Sequence, residues 1–479
     1  MKFFITRMLF GVVLLIAFGS VQAQEKWTLE QCVRYALENN FTVRQSNAAV
    51  RTAQLSEAQA KASRLPNISA GSNLGEQFGR TIDPTTNSFS TQGIGFNSIS
   101  LNAGINLFAG GQIAHTLNQA RWEVKAARAD AEQTANTLSL QVAAAFLNVL
   151  QAEEQLSSAT ARVNQSLVQL KTTQKLVETG SQPASEQFSV EAQLAVEEQA
   201  QVIARNNIEL TYLTLKQLLQ LEPDFNLAVV RPEILLPDDL PEEGRQLSGV
   251  YTEALKTQPS ILSADFRIKS AAEGIGIAKA GYLPSLTAFA GLSANYSTQF
   301  KQFSYTGNLI PGQTTIVNVG GNDVPVTFYN PEVIVQNVPY FDQIDQNFGQ
   351  TIGLSLNVPI YSNGRNRLAL ERARLGVLNA QLQGNQARQT LKNDIQAAIA
   401  NVRAAGQQLK AARKAAAASQ LAFTNTEKRY QVGAVSTLQL TLAKTNLATA
   451  ENDLITARYN YLFRLKILDF YEGKPLSLN

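Results

Sequence analysis

Apolar and polar residues alternate in four segments of the chain. In 67–78, Ile68, Ala70, Leu74 and Phe78 alternate with Asn67, Ser69, Asn73 and Gln77. In 97–107, Ile99, Leu101, Ala103, Ile105 and Leu107 alternate with Ser98, Ser100, Asn102, Gly104 and Asn106. In 285–296, Leu286, Ala288, Ala290, Leu292 and Ala294 oppose Ser285, Thr287, Gly291, Ser293 and Asn295. In 348–361, Ile352, Leu354, Leu356, Val358 and Ile360 oppose Thr351, Gly353, Ser355 and Asn357. Strict alternation puts every second side chain on one face of a strand. Segments of this length suit strands that cross an outer membrane, and equally an antiparallel sheet with one wet face in a soluble protein. The members of each pair are separated by long loops, 79–95 and 297–347. Four such strands in two copies, with long loops and a secretory segment, weigh toward a membrane barrel. The long loops of such barrels lie outside the cell.

A different period governs the segments that follow each pair. From 114 to 177 there is neither Pro nor Gly, which allows on the order of 100 Å of continuous helix. Val142, Val149, Leu156, Val163, Leu170 and Val177 recur every seven residues, and Ala145, Ala152, Ala159, Ser166 and Thr173 follow the first five at a spacing of three. Ile395, Val402, Leu409, Ala416, Phe423 and Tyr430 repeat the pattern, with companions Ala398, Ala405, Ala412, Ser419 and Thr426 of the same types. Large residues paired with small ones at heptad spacing predict a tight coiled-coil seam. Taken alone, that is also the pattern of a plain stalk.

Each long helix ends in a turn. Gly180 precedes Pro183 and Ser185, and "YQVGAVST" at 430–437 places Gly433 after Lys428 and Arg429, a helix C-terminal signal. Ser436 and Gln439 have capping-box spacing for the next helix. Return helices are predicted over 186–220 and 438–470, with shorter helices at 42–64 and 259–281. A short helix and a return helix stacked end to end reach roughly 87 Å, close to the length of a long helix.

The chain is internally duplicated. Ala36-Leu37 aligns with Ala254-Leu255, and Leu65-Pro66 with Leu283-Pro284, without a gap; "SLNAGINLFAGGQ" from Ser100 aligns with "GLSLNVPIYSNGR" from Gly353, and Gly180 with Gly433. The predicted organisation is a signal peptide at 1–23 and a first repeat at 24–221, with hairpin 67–108, long helix 112–178 and return helix 186–220. A Pro-rich acidic linker follows at 222–246. The second repeat spans 247–472, with hairpin 285–361, long helix 365–431 and return helix 438–470, and 473–479 forms a tail. The first segment carries Lys2 and Arg7, an apolar run, and Val21 and Ala23 where signal peptidase takes small residues. Four strands cannot close a barrel, so membrane strands here require an oligomer of two, three or four copies.

Charge and chemistry narrow the function. Without Lys2 and Arg7, 39 basic residues stand against 38 acidic ones, unlike the basic balance of a nucleic-acid binder. Cys32 and His115 are the sole members of their types, which excludes a disulfide framework, a His-based triad and a multi-His zinc site within the chain. Neither "GIGFNSIS" nor "AGGQI" has phosphate-loop spacing. No enzyme activity and no cofactor are expected.

The paired "LP" before each first strand, "VPIYSNGR" at 358–365, "YQVGA" at 430–434 and "ARYNYL" at 457–462 resemble the TolC-type outer-membrane efflux proteins over nearly the whole mature chain. The resemblance implies an α+β membrane fold: a homotrimer whose copies share one twelve-stranded barrel set in outer-membrane lipid, with long coiled-coil helices forming a periplasmic tunnel. It implies a passive export duct opened by a periplasmic adaptor and energised by an inner-membrane transporter. The rival reading is an outer-membrane-anchored structural or adhesive stalk. The implied docking tips are Thr179, Gly180, Ser181 and Gln182 in the first repeat and Val432, Gly433 and Ala434 in the second, where Ala434 replaces the family's Leu. Rings of Asp in some members fall here on Gln439 and Leu442. Glu186, the first-repeat counterpart of Gln439, completes the candidate tunnel-entrance constriction. Both turns also have a plain structural reading as the bends that helical hairpins need.

Overall fold

The computed structural model describes residues 26–83, 87–91, 93–232, 247–432 and 434–474. The signal peptide, most of the 222–246 linker, Gly433 and the last five residues lie outside them. Contacts divide the chain into two units, and neither coincides with a sequence repeat. One draws on residues up to Leu55, on Arg121–Ser270 and on residues from Val377; the other on Ser56–Ala120 and Ala271–Gly376.

The helical unit holds β1 (Lys26–Trp27), α1 (Leu29–Asn39), the first part of α2 (Phe41–Ala62), most of α3 (Gln112–Glu178), α4 (Ala184–Leu219), β6 (Ala228–Val229), α5 (Leu247–Thr257), part of α6 (Pro259–Ala280), most of α8 (Arg365–Gln431) and α9 (Thr437–Tyr471). α3 and α8 are 67 residues each, the continuous helices that their Pro-free heptads predict. Thr28 caps α1 in a reciprocal box: its hydroxyl accepts from the Gln31 N–H at 3.3 Å and its own N–H donates to the Gln31 side chain at 2.8 Å.

The main core gathers Cys32 and Ala36 of α1, Val142, Phe146 and Val149 of α3, Leu215 and Leu219 of α4, and Ile455 and Tyr459 of α9. Side chains of both repeats therefore close one core. Cys32 is fully buried, and burial pushes its thiol up to about 12, leaving it unreactive at neutral pH.

The seam follows the heptads. Ala145, Ala152, Ala159, Ser166 and Thr173 are all buried. In the second repeat Ala398 and Ala405 are buried, whereas Ala412, Ser419 and Thr426 are half-buried. The repeats also share a stitch at equivalent links. Asn40, between α1 and α2, donates its amide to the Leu218 carbonyl at 3.0 Å; Gln258, between α5 and α6, reaches the Phe470 carbonyl at 3.5 Å. Each amide reaches a carbonyl in the last turn of a return helix; the Phe470 carbonyl also accepts from the Gly473 N–H at 3.0 Å.

One layer of this unit is ionic. Arg162 of α3 donates to Glu197 of α4 at 3.1 Å and to Ser158 at 2.8 Å, and Gln193 donates to the second Glu197 oxygen at 3.0 Å. Lys444 of α9, 3% exposed, donates to Ser166 of α3 at 2.5 Å. Burial lowers the Lys444 pKa; Glu197 and Glu427 oppose that shift and Arg162 adds to it.

The strand unit is built on a four-stranded antiparallel sheet of order β10 (Gly349–Asn357), β7 (Ser285–Ser297), β5 (Ile94–Ala109), β2 (Asn67–Gln77). Each hairpin pairs within its repeat, and β5–β7 joins the two. The segment 297–347, read as a loop from the sequence, is instead a long hairpin and a short helix: β8 (Lys301–Val319), β9 (Asn322–Asn337) and α7 (Tyr340–Gln346). Gly320 and Gly321, with φ 64° and 91°, make the two-residue turn whose twist matches paired strands. Among the described residues, the first-repeat loop holds only the short pair β3 (Thr81–Ile82) and β4 (Phe89–Ser90). α7 packs near the loop end of the sheet. Tyr340 donates to Asn97 at 2.7 Å, buried Gln343 accepts from the Ser297 N–H at 3.0 Å, and the Ser297 hydroxyl donates to the buried Asp83 carboxylate.

Two outcomes follow for the helical unit. Ala152→Leu or Ala405→Leu overpacks the seam and costs about 1–3 kcal/mol, against little for an exposed Gln→Leu; thermal melting of matched variants checks this. Lys444→Met removes a buried charge whose native pKa lies below its unfolded value. The unfolded chain therefore binds more protons between those values, so the penalty is present at neutral pH and relieved as pH rises through the native pKa. Chemical denaturation should show the variant at least as stable as the parent at neutral pH, with the difference shifting in the parent's favour at alkaline pH.

Candidate functional site

The first tip is a complete Schellman turn. The Ser181 N–H donates to the Leu176 carbonyl at 2.8 Å and the Gly180 N–H to the Val177 carbonyl at 2.9 Å, with Gly180 at φ 71°. The Thr179 hydroxyl caps the Leu176 carbonyl at 3.1 Å, and Pro183 starts α4. A Cβ added at Gly180 would meet nothing within 4 Å, so the glycine is there for its backbone angle and not for a close neighbour. At the second tip the Ala434 N–H donates to the Arg429 carbonyl at 2.9 Å, the long bond of the same motif. The Ser436 hydroxyl accepts from the Gln439 N–H at 3.4 Å, and the Tyr430 and Thr437 hydroxyls lie 3.2 Å apart. Val432, Leu438 and Leu442 stand exposed around this turn, an apolar fringe on an otherwise polar end.

The three constriction candidates are not brought into one cluster within the chain. Among the described residues no hydrogen bond or ion pair links Glu186, Gln439 and Leu442. Glu186 is half-buried, and one of its carboxylate oxygens is buried without a hydrogen-bond partner among the described residues; so is the Gln182 side-chain oxygen. Gln439 and Leu442 are exposed. Heptad reading did not single out Lys444, Arg162 and Glu197. The available signal was a lysine between Leu440 and Leu447 on the buried stripe of α9.

The sheet is the second element of the site. One face carries Ile68, Ala70, Leu74, Ile99, Leu101, Ala288, Leu292, Ile352, Leu354 and Leu356; Leu74 is 83% and Ile352 89% exposed, far beyond what a water-facing sheet of this size presents. The opposite face is mostly Ser, Thr, Asn and Gly, with two phenyl rings and, at the loop end, Ile94 opposite Gln77. β2 and β10 end the sheet, so their outer backbone groups have no strand partner among the described residues. No helix among the described residues is long and apolar enough to cross a membrane. His115 Nδ1 lies 2.7 Å from a Glu273 carboxylate oxygen.

Comparison with known proteins agrees with this geometry. The outer membrane efflux protein family profile matches residues 32–220 and 250–473. Outer membrane protein TolC of Escherichia coli K12 is 27% identical over 329 residues, 68% of this chain and 59% of that protein, so the match spans under two thirds of its length. Outer membrane efflux protein BepC of Brucella suis is 22% identical over 448 residues, 92% of this chain and 86% of that one. The crystal structure of the outer membrane protein VceC from Vibrio cholerae superposes with a TM-score of 0.72 at 18% identity, covering 94% of this chain and 97% of that one; at that identity it speaks for the fold. With both halves of the duplication matched by one profile, the chain belongs to the outer membrane efflux protein family.

Proposed function

We propose that the protein is the outer-membrane channel of a tripartite export system, a passive duct shared by three copies, opened by a periplasmic adaptor and energised by an inner-membrane transporter. The observation that carries this is the four-stranded sheet, apolar on one face, mostly polar on the other and, among the described residues, unpaired at both edges. In hydrocarbon every unpaired backbone group costs several kcal/mol, so β2 of one copy must meet β10 of the next until the ring closes. Three copies of four strands make a twelve-stranded barrel with lipid outside and a polar lumen.

The docking tips are residues 179–182 and 432–434, and Glu186, Gln439 and Leu442 line the tunnel entrance. The two repeats each supply one hairpin of wall and one tip. Residues 79–95 and 297–347, the latter with the hairpin of β8 and β9, face outside the cell.

Three measurements test this reading. Mass determination in detergent should give a trimer, and a stable monomer would overturn it. In planar bilayers the purified trimer should conduct; a trimer without conductance would favour the stalk. The tips are separable from folding: Gly180→Ala should cost only about 1 kcal/mol. Val432→Glu with Gly433→Arg should leave trimers in the outer membrane yet abolish export and adaptor crosslinking. Loss of the trimer itself would instead make the tips plain turns.

A further inference from the structure

The polar face of the sheet holds two aromatic rings, and both lie over glycines; its other large apolar side chain, Ile94 opposite Gln77, is buried. On β7 the polar-face residues are Ser285, Thr287, Phe289, Gly291, Ser293, Asn295 and Ser297; on β5 they run from Ile94 and Phe96 through Ser98, Ser100, Asn102 and Gly104 to Asn106. β2 and β10 contribute only Ser, Thr, Asn, Gln and Gly. Phe289 is flanked by glycine on both neighbouring strands, opposite Gly353 of β10 and Gly104 of β5. Phe96 stands opposite Gly75 of β2.

The rings occupy the space that a side chain on the glycine would need. A Cβ built on Gly353 would lie 2.5 Å from Phe289 Cζ and 3.0 Å from its Cε1; one on Gly75 would lie 3.1 Å from Phe96 Cζ. Neither glycine has positive φ, so the turn argument for glycine does not apply to them. Strand interiors otherwise disfavour glycine, and a glycine there marks close approach of another group. Here that group is a phenyl ring laid across the neighbouring strand. A ring in this pose turns one aromatic face to the open side of the wall and projects little from it. Phe289 is 41% exposed. Phe96 is eight residues from Gly104 along β5, so the two rings are separated by roughly 27 Å, near opposite ends of the wall.

We propose that Gly353 and Gly75 are seats that hold Phe289 and Phe96 flat against the lumen wall, keeping the bore open while offering two tiers of aromatic faces to planar aromatic cationic cargo. This rests on the channel reading above, in which the polar face lines the lumen and three copies repeat each ring at one height. Phe and Tyr faces attract cations, and offset stacking adds contact for flat ring systems. The surrounding Ser, Thr and Asn offer no comparable surface.

The test is single-channel conductance of the purified trimer. Gly353→Val fills the seat and forces the Phe289 ring to stand into the lumen. Val itself suits a strand, so a general strand defect is not expected. Three inward rings should lower conductance roughly two-fold, the bore being set by strand number. Gly353→Val combined with Phe289→Ala should restore the wild-type value. Wild-type conductance in the single variant, or no recovery in the double one, overturns the proposal. Should Gly353→Val not assemble, Gly75→Val with and without Phe96→Ala makes the same test at the other tier.

The cargo class is read from current block. Ethidium should block the wild-type pore for longer than it blocks Phe289→Ser, while block by tetraethylammonium, equally charged but without an aromatic face, should be the same in both. Unchanged ethidium block, or equal changes for the two cations, overturns that part. A wild-type trimer that does not conduct removes the channel reading itself; a conducting wild type with an indifferent Gly353→Val removes only this inference.

Discussion

The outer edges of β2 and β10 set the terms for everything else in this chain. A strand edge is a row of donors and acceptors, and in hydrocarbon only another strand can satisfy them. The sheet is too narrow to close on itself and too apolar on one face to stand in water. Its register nevertheless runs unbroken from β10 across to β2 apart from one irregularity near Asn106, so each edge is straight enough to accept a copy. On the channel reading, self-association would be built into the pairing of the backbone, not added by side-chain contacts.

The helical unit solves a different problem, that of holding very long helices in register. Alternating large and small seam residues do most of this, because an alanine opposite a valine or leucine admits only one close packing. Two polar devices interrupt the apolar stripe. The Asn40 and Gln258 amides fix the corners between short helices and return helices. The layer of Arg162, Glu197, Ser166 and Lys444 places charge where packing alone would prefer leucine. Such a layer is weak evidence for stability, since desolvation offsets much of the attraction. Its value lies in penalising every register in which the charges lose their partners.

The duplication is visible both where it holds and where it fails. Both long helices have the same length, both tips carry the long hydrogen bond of a Schellman turn, and both corner amides reach a carbonyl in the last turn of a return helix. It fails in the segment between β7 and β10, where the second repeat inserts the hairpin of β8 and β9. It fails again at the tips, where Glu186 answers Gln439, and on the polar face of the wall, where the ring-on-glycine pair sits at a different height in each repeat.

The sequence by itself determined the period of each element and therefore its type. Strict alternation specified four strands and their wet and dry faces, heptads free of Pro specified two long helices, and Gly180 with Pro183 marked a turn. These are local properties, decided by side-chain spacing along one segment. The hairpin at 301–337 escaped such reading because its apolar positions change face part-way, at the register shifts near Leu309 and Thr314, so no single alternation runs through it. Only the tertiary structure decided that β5 pairs with β7, that Lys444 faces Ser166, and that Phe289 lies over Gly353. Each of these depends on residues scores or hundreds of positions apart meeting at one register, and a one-residue slip of a strand would have turned the two sheet pairs to the other face.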